Sequence, residues 1–223
     1  MSWITIKPLL EEINLGLEIE LYGAGTARTL RPIWMAEEIG LQYTLYPIGP
    51  RTGETQTEEF KILNPKKKIP LLKHGDFVLS ESIAICRYLQ RIENEKDNFV
   101  PSDLKLRALE DEWCNFIYGE LDETSLYVMR RHGDLKDIYG HAPNVLESCK
   151  EYFYKHLQVI EQKLANQDTL YGLDFCLADI ILVSCLDWAI AYEFELSSAV
   201  QSYHENIKKR EAYKRAIEIN YGI

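Results

Sequence analysis

A small α/β domain followed by an all-helical one is the architecture this sequence predicts, on three observations. Between Ile19 and Tyr88 short β-rich runs alternate with helical patterns, in the order strand, helix, strand, then strand, strand, helix. From Leu104 onward strand signals vanish and long helical periodicities fill the chain. Residues 94–102 between the halves are rich in charge and carry Pro101 near their end, the composition of a linker. The domains are drawn at 18–94 and 103–223, with residues 1–17 as an N-terminal extension of unassigned role.

Each element has its own signal. Ile19-Glu20-Leu21-Tyr22 has period two and stops at Gly23 and Gly25, a strand entering a turn. Leu30, Ile33, Trp34, Glu37, Glu38 and Ile39 then repeat at helical spacing, with Gly40 where a C-terminal cap belongs. Residues 42–48 read as a second strand closed by Pro47, Gly49 and Pro50, so strand, helix and strand make a βαβ unit with a parallel pair. After a polar segment, residues 69–73 and 77–79 flank His74-Gly75-Asp76 as a hairpin. Ser80-Glu81-Ser82 opens an amphipathic helix carrying Ile83, Ile85, Cys86, Tyr88, Leu89 and Ile92. In the second half helical spacing covers residues 106–126, 145–164, 176–193 and 207–219.

Composition excludes several classes of function. With 223 residues the chain suits one large domain or two small ones, and 46% hydrophobic against 27% charged residues is a globular balance. The formal charge of −10 repels phosphate backbones and anionic lipid, so neither nucleic acid nor a membrane surface is an expected partner. The longest apolar stretch, residues 175–190, is broken by Asp179 and Asp187, short of the roughly 20 apolar residues that span a bilayer. The N-terminus lacks the pattern of a signal peptide, and a cytoplasmic location is expected. Cys86, Cys114, Cys149, Cys176 and Cys185 form no C-x-x-C pair and no metal-ligand spacing, so no metal site is expected and buried free thiols are.

Three constellations carry chemistry. In Asn64-Pro65-Lys66-Lys67-Lys68-Ile69-Pro70-Leu71-Leu72, Pro70 opens a strand without the N–H that a ladder needs. It belongs at an edge, or at a cis bond that turns the Ile69 backbone outward to pair with a peptide ligand. Glu81-Ser82 opens a helix, where free N–H groups, the dipole and the Ser82 hydroxyl hold a carboxylate while Glu81 receives an ammonium. Together these two features match an α-amino acid end, and a plain N-cap with a charged neighbour fits the segment equally well. In the turn Gly23-Ala24-Gly25-Thr26-Ala27-Arg28-Thr29, Thr26 or Thr29 can donate to an anion such as a thiolate at the helix start, or Thr29 can simply cap the helix.

These signals occur in the order found in cytosolic glutathione transferases, and the chain resembles that family from about residue 18 to 217. The segment ending in Lys68-Ile69-Pro70-Leu71-Leu72 resembles the family's cis-proline strand, and Leu79-Ser80-Glu81-Ser82-Ile83-Ala84-Ile85 resembles its γ-glutamyl-binding signature. Gly172-Leu173-Asp174-Phe175-Cys176-Leu177-Ala178-Asp179-Ile180 resembles the helical domain's capping motif, with Cys176 in place of the usual Ser or Thr, and residues 203–216 resemble the family's C-terminal segment. The resemblance implies a thioredoxin-like βαβ-ββα domain followed by a helical bundle, and a homodimer.

It also implies an enzyme that adds the glutathione thiolate to a small electrophile, with glutathione as co-substrate and no other cofactor. Lys68 would meet the glycyl carboxylate, Ile69 and Pro70 the cysteinyl backbone, and Glu81 and Ser82 the γ-glutamyl end. The slot of the family's sulfur-activating serine falls on Ala27, so the implied catalytic candidates are Thr26, Thr29 and Arg28, Thr26 first. Tyr22 ranks lower, and no cysteine precedes Cys86 to support thiol–disulfide exchange. Trp113, Phe116 and Tyr118 suit either an apolar wall or the core, the core first. A glutathione-binding scaffold that has lost turnover is the competing reading, supported by Ala27.

Overall fold

The computed structural model describes residues 18–92, 103–165, 167–170 and 175–222. The N-terminal extension, the linker at 94–102 and residues 172–174 of the capping motif lie outside the described residues. Strand β1 (Ile19–Tyr22) leads into helix α1 (Ala27–Ile39), and β2 (Thr44–Tyr46) returns parallel to β1. A short helix α2 (Glu58–Leu63) precedes the hairpin β3 (Leu71–His74) and β4 (Phe77–Ser80), and α3 (Ser82–Ile92) closes the unit. The sheet order is β2-β1-β3-β4, with β3 antiparallel to both its neighbours. This is the expected thioredoxin-like topology, and the Ile69–Pro70 bond before β3 is cis.

Helices make up the rest: α4 (Leu104–Phe116), a π-helical stretch over Ile117–Leu126, α5 (Tyr127–His132), α6 (Lys136–Tyr139), α7 (Pro143–Leu164), α8 (Leu177–Ala191), α9 (Ser198–Ile207) and α10 (Glu211–Tyr221). Helix α8 is apolar nearly all round and buried along most of its length, as the central helix of a bundle must be. At its start the Asp179 carboxylate accepts from the Cys176 N–H at 2.9 Å and thiol at 3.3 Å, the Leu170 N–H at 2.9 Å and the Tyr203 hydroxyl at 2.7 Å. Thus cysteine replaces the usual hydroxyl without emptying the cap.

Several boundaries differ from expectation. Strand β2 is shorter than residues 42–48, because it is an edge strand that pairs only with β1 and Pro47 has no N–H to extend it. The polar segment hides α2, whose cap is the Thr57 hydroxyl accepting from the Phe60 N–H at 3.2 Å. The helix expected over 207–219 is α10, which starts later at Glu211, and α9 over Ser198–Ile207 precedes it without having been expected.

Helix α1 joins the two halves by packing against α3, α8 and α10. Its Trp34 is fully buried, with its ring 4.8 Å from that of Tyr213 on α10 and 5.6 Å from that of Phe175. Arg210 grips Glu38 through two bonds of 2.7 Å while its guanidinium lies 4.0 Å over Phe175. Helix α1 is therefore held between both domains.

Candidate functional site

The turn from β1 into α1 is built to admit a close neighbour. Gly23 has φ of +115°, and a Cβ there would lie 2.7 Å from Ile69 Cβ and 2.8 Å from Thr29 Cγ2, so only glycine lets the Ile69 segment approach. Thr26 is the N-cap of α1: its hydroxyl oxygen accepts from the Thr29 N–H at 3.0 Å, and Thr29 Oγ1 accepts from the Thr26 N–H at 3.0 Å. The capping residue is thus Thr26, and Thr29 is its reciprocal partner. Thr29 is fully buried, and its hydroxyl proton is taken by Thr26 O at 2.9 Å or Asn220 Oδ1 at 2.8 Å. From α10, Asn220 also donates to Thr26 O at 3.1 Å and accepts the Gly25 N–H through its carbonyl at 2.8 Å.

The cap leaves a small set of donors open. Thr26 is half-buried and keeps its own hydroxyl proton, whose nearest protein acceptor is Thr29 Oγ1 at 3.0 Å. Among the described residues, the N–H groups of Ala27 and Arg28, the first two of the helix, have no hydrogen-bond partner. A hydroxyl and two amides at the positive end of a helix dipole form an anion site.

Arg28 does not point to solvent. Its Nη2 and Nε donate to Asp122 Oδ1 at 2.5 and 3.1 Å, it pairs with Glu123, and its guanidinium lies 4.4 Å from the centre of the Tyr127 ring. Asp122 in turn accepts from Arg31 Nη2 at 2.5 Å. Burial pushes the Asp122 carboxyl up, but Arg31 and Arg28 outweigh it and hold the group below the usual carboxylate range. The Arg28 cation is thereby largely neutralised before any ligand arrives.

The γ-glutamyl candidates sit beside this cluster. Arg31, fully buried, donates through Nη1 to Ser82 Oγ at 3.3 Å and through Nε to Ser184 Oγ at 2.7 Å. Ser82 is itself buried and, as the acceptor in that bond, keeps its proton for another partner. Glu81 has φ of +76°, a strained setting for a residue with a Cβ, and its exposed carboxylate accepts from Lys66 Nζ at 3.0 Å.

A cleft of about 780 Å³ opens between the domains. Thr26, Arg28, Lys68 and Ile69 line it, Thr29 and Pro70 lie buried, and Glu81 and Ser82 stand outside its lining, Ser82 bonded to Arg31 and Glu81 to Lys66. Its far wall is Tyr127, Arg130, Tyr139, Trp188 and Tyr221, all missed by the sequence reading. Trp113 and Phe116 pack against the core, and Tyr118 takes the Arg28 guanidinium at 5.4 Å from its ring centre. Asp122 carried one signal, falling beside Leu121 and near Ser125 on the buried side of a helical run.

The remaining nucleophiles are elsewhere or inert. All five cysteines are buried, and burial pushes the Cys86 and Cys185 thiols up to about 12. Burial and the Glu20 carboxylate raise the Tyr22 phenol well above its ordinary value; its hydroxyl donates to Glu20 at 2.5 Å and its ring stacks on Tyr46 at 4.5 Å.

A thioredoxin-like domain whose first helix opens onto a cleft walled by a helical domain defines a two-domain class in which both halves shape one site. The sequence matches the family model for the glutathione S-transferase N-terminal domain over residues 17–91 and that for the C-terminal domain over 122–211. It is 30% identical over 208 residues to glutathione S-transferase theta-3 of Mus musculus, covering 92% of this chain and 83% of that protein. The fold superimposes with a TM-score of 0.80 on a delta-class glutathione transferase of Nilaparvata lugens, at 28% identity, covering 91% of this chain and 94% of that one. With the theta-class enzyme of Xanthomonas axonopodis pv. citri, solved with glutathione bound, the TM-score is 0.76 at 25% identity, over 89% of this chain and 96% of that one. The chain belongs to the glutathione S-transferase family.

Proposed function

We propose that the chain conjugates the glutathione thiolate to a small electrophile, with the sulfur seated at the start of α1. The observation that carries the reading is the set of donors there, the free Ala27 and Arg28 N–H groups and the Thr26 hydroxyl, which can turn from Thr29 Oγ1, beside a cleft that Lys68 and Ile69 also line. Such donors favour the anion: each unit by which a thiol's pKa falls from about 8.5 corresponds to about 1.4 kcal/mol. Lys68 takes the glycyl carboxylate, the backbone around Ile69-Pro70 pairs with the cysteinyl residue, and Ser82 with Glu81 receives the γ-glutamyl end. The thiol proton leaves to water, the C–S bond forms at the electrophilic carbon as its bond to the leaving group breaks and that group departs with the electron pair, and the protein contributes orientation and anion stabilisation. Glutathione enters as co-substrate, and the enzyme acts as a cytoplasmic homodimer in detoxification.

The reading is tested by two measurements on one sample. Glutathione at 100 times its dissociation constant should add about 2.7 kcal/mol of stability, seen as a raised Tm. The chromophore of 1-chloro-2,4-dinitrobenzene should then be converted at a rate proportional to protein. A raised Tm without turnover of this or any other electrophile tried would instead favour the non-catalytic scaffold, and no shift at millimolar glutathione would remove both readings.

A further inference from the structure

The charge of the cleft runs against that of the chain. The protein carries a formal −10, yet the lining includes Arg28, Arg51, Lys67, Lys68 and Arg130 against one carboxylate, Asp134. Asp134 keeps its charge, its Oδ2 accepting from the Tyr192 hydroxyl at 2.6 Å, so the lining still carries four more cations than anions. Arg28 is neutralised by Asp122 and Glu123. On the proposed binding mode Lys68 meets the glycyl carboxylate, with Lys67 beside it, and the second carboxylate of glutathione lies at Ser82. Two cations are left over on the acceptor side.

These are Arg51 and Arg130, and among the described residues neither is paired with a carboxylate. Arg51 instead donates to the Tyr139 hydroxyl at 3.3 Å, and Arg131 stacks 4.8 Å from the centre of the same ring. Arg130 is half-buried on α5, on the wall that Tyr127, Trp188 and Tyr221 complete. A partly desolvated guanidinium that forms no ion pair and shares its wall with aromatic side chains is a recognition site for an anionic group on a planar body. Resting on the conjugation proposed above, we infer that the preferred electrophile is a planar aromatic bearing a carboxylate or similar anion, held by Arg130.

The test compares 4-chloro-3,5-dinitrobenzoate with its neutral methyl ester, each kcat/KM divided by the uncatalysed rate with glutathione. In both the C–S bond forms, the C–Cl bond breaks and chloride leaves. The acid should be favoured about tenfold, toward the low end of a charge-assisted hydrogen bond. Raising the salt concentration should shrink that ratio. Arg130→Gln should abolish the ratio and Arg130→Lys should retain most of it, whereas a merely structural role for Arg130 would move both acceptors together. Turnover of the ester with no preference for the acid overturns this inference and leaves conjugation standing. No turnover of either acceptor overturns both.

Discussion

Arg31 of the N-terminal domain donates through Nη2 to Asp122 of the helical domain at 2.5 Å, and neither side chain has any solvent-exposed surface. From this pair one arm runs through Arg31 to Ser82 and another through Asp122 to Arg28. The proposed γ-glutamyl and sulfur subsites therefore both hang on one buried carboxylate. Such a network is stable only when every member is satisfied, so its parts should fail together.

Removing the charge of Asp122 should show this. Asp122→Asn leaves two arginines facing a neutral amide, and breaking a buried pair in this way costs about 3–5 kcal/mol, read from the urea midpoint at neutral pH. The carboxyl of the folded protein lies below its ordinary value of about 3.9. Its stabilising contribution is complete above that unfolded value and is lost as the pH falls through the lower folded value. The acid limb of the wild-type stability curve should thus be steeper below about pH 4 than that of Asp122→Asn. Superimposable acid limbs would show that the arginines do not hold the carboxylate ionised.

Ser82→Ala tests the other end of the same network. Losing a hydrogen bond to a charged group should weaken glutathione binding by about 1.5–3 kcal/mol in calorimetry. Arg31 also loses an acceptor, so a modest drop in Tm should accompany it. Unchanged affinity would remove Glu81 and Ser82 from the γ-glutamyl assignment.

What the sequence made legible follows from burial. The first strand, α1, the hairpin and α3 are legible because α1 and α3 carry apolar residues at helical spacing and the short β-rich runs are punctuated by Gly23, Gly40 and Gly75. The acceptor wall is not. Helices α5 and α6, which carry Tyr127, Arg130 and Tyr139, have no buried residue at all, so no apolar stripe announces them. Over Ile117–Leu126 the wider π-helical turn, with Ser125 Oγ donating to Glu120 O at 2.7 Å, shifts the buried face out of the 3.6-residue period. Asn220 was hidden for another reason, because its partners Gly25, Thr26 and Thr29 lie some two hundred residues away in the chain.

Assembly gives an independent prediction. A two-fold dimer needs one self-complementary face, and light scattering should report about twice the 26.0 kDa chain mass at micromolar protein. A monomer whose mass does not change with concentration would refute it.

The last prediction concerns which group activates the sulfur. Thr29 is fully buried and its proton is committed to Thr26 O or Asn220, so Thr29→Val should lower the Tm while barely moving the titration of bound glutathione. Arg28 faces the cleft, but Asp122 and Glu123 already balance its charge, and Arg28→Leu should act mainly by disturbing that cluster. Thr26 differs from both, since it lines the cleft and, among the described residues, its hydroxyl proton has only Thr29 Oγ1 as an acceptor. In Thr26→Val that donor is gone and the Thr29 N–H loses its cap, for a stability cost of about 1 kcal/mol. If Thr26 donates to the sulfur, the thiolate absorbance of the bound complex should titrate about one pH unit higher in Thr26→Val, the equivalent of about 1.4 kcal/mol. The conjugation rate at neutral pH should fall accordingly, while glutathione affinity measured with the thiol protonated stays nearly constant. A titration moved only by Arg28→Leu would make the cation the activator, and one moved by none of the three would leave the Ala27 and Arg28 amides to hold the sulfur alone.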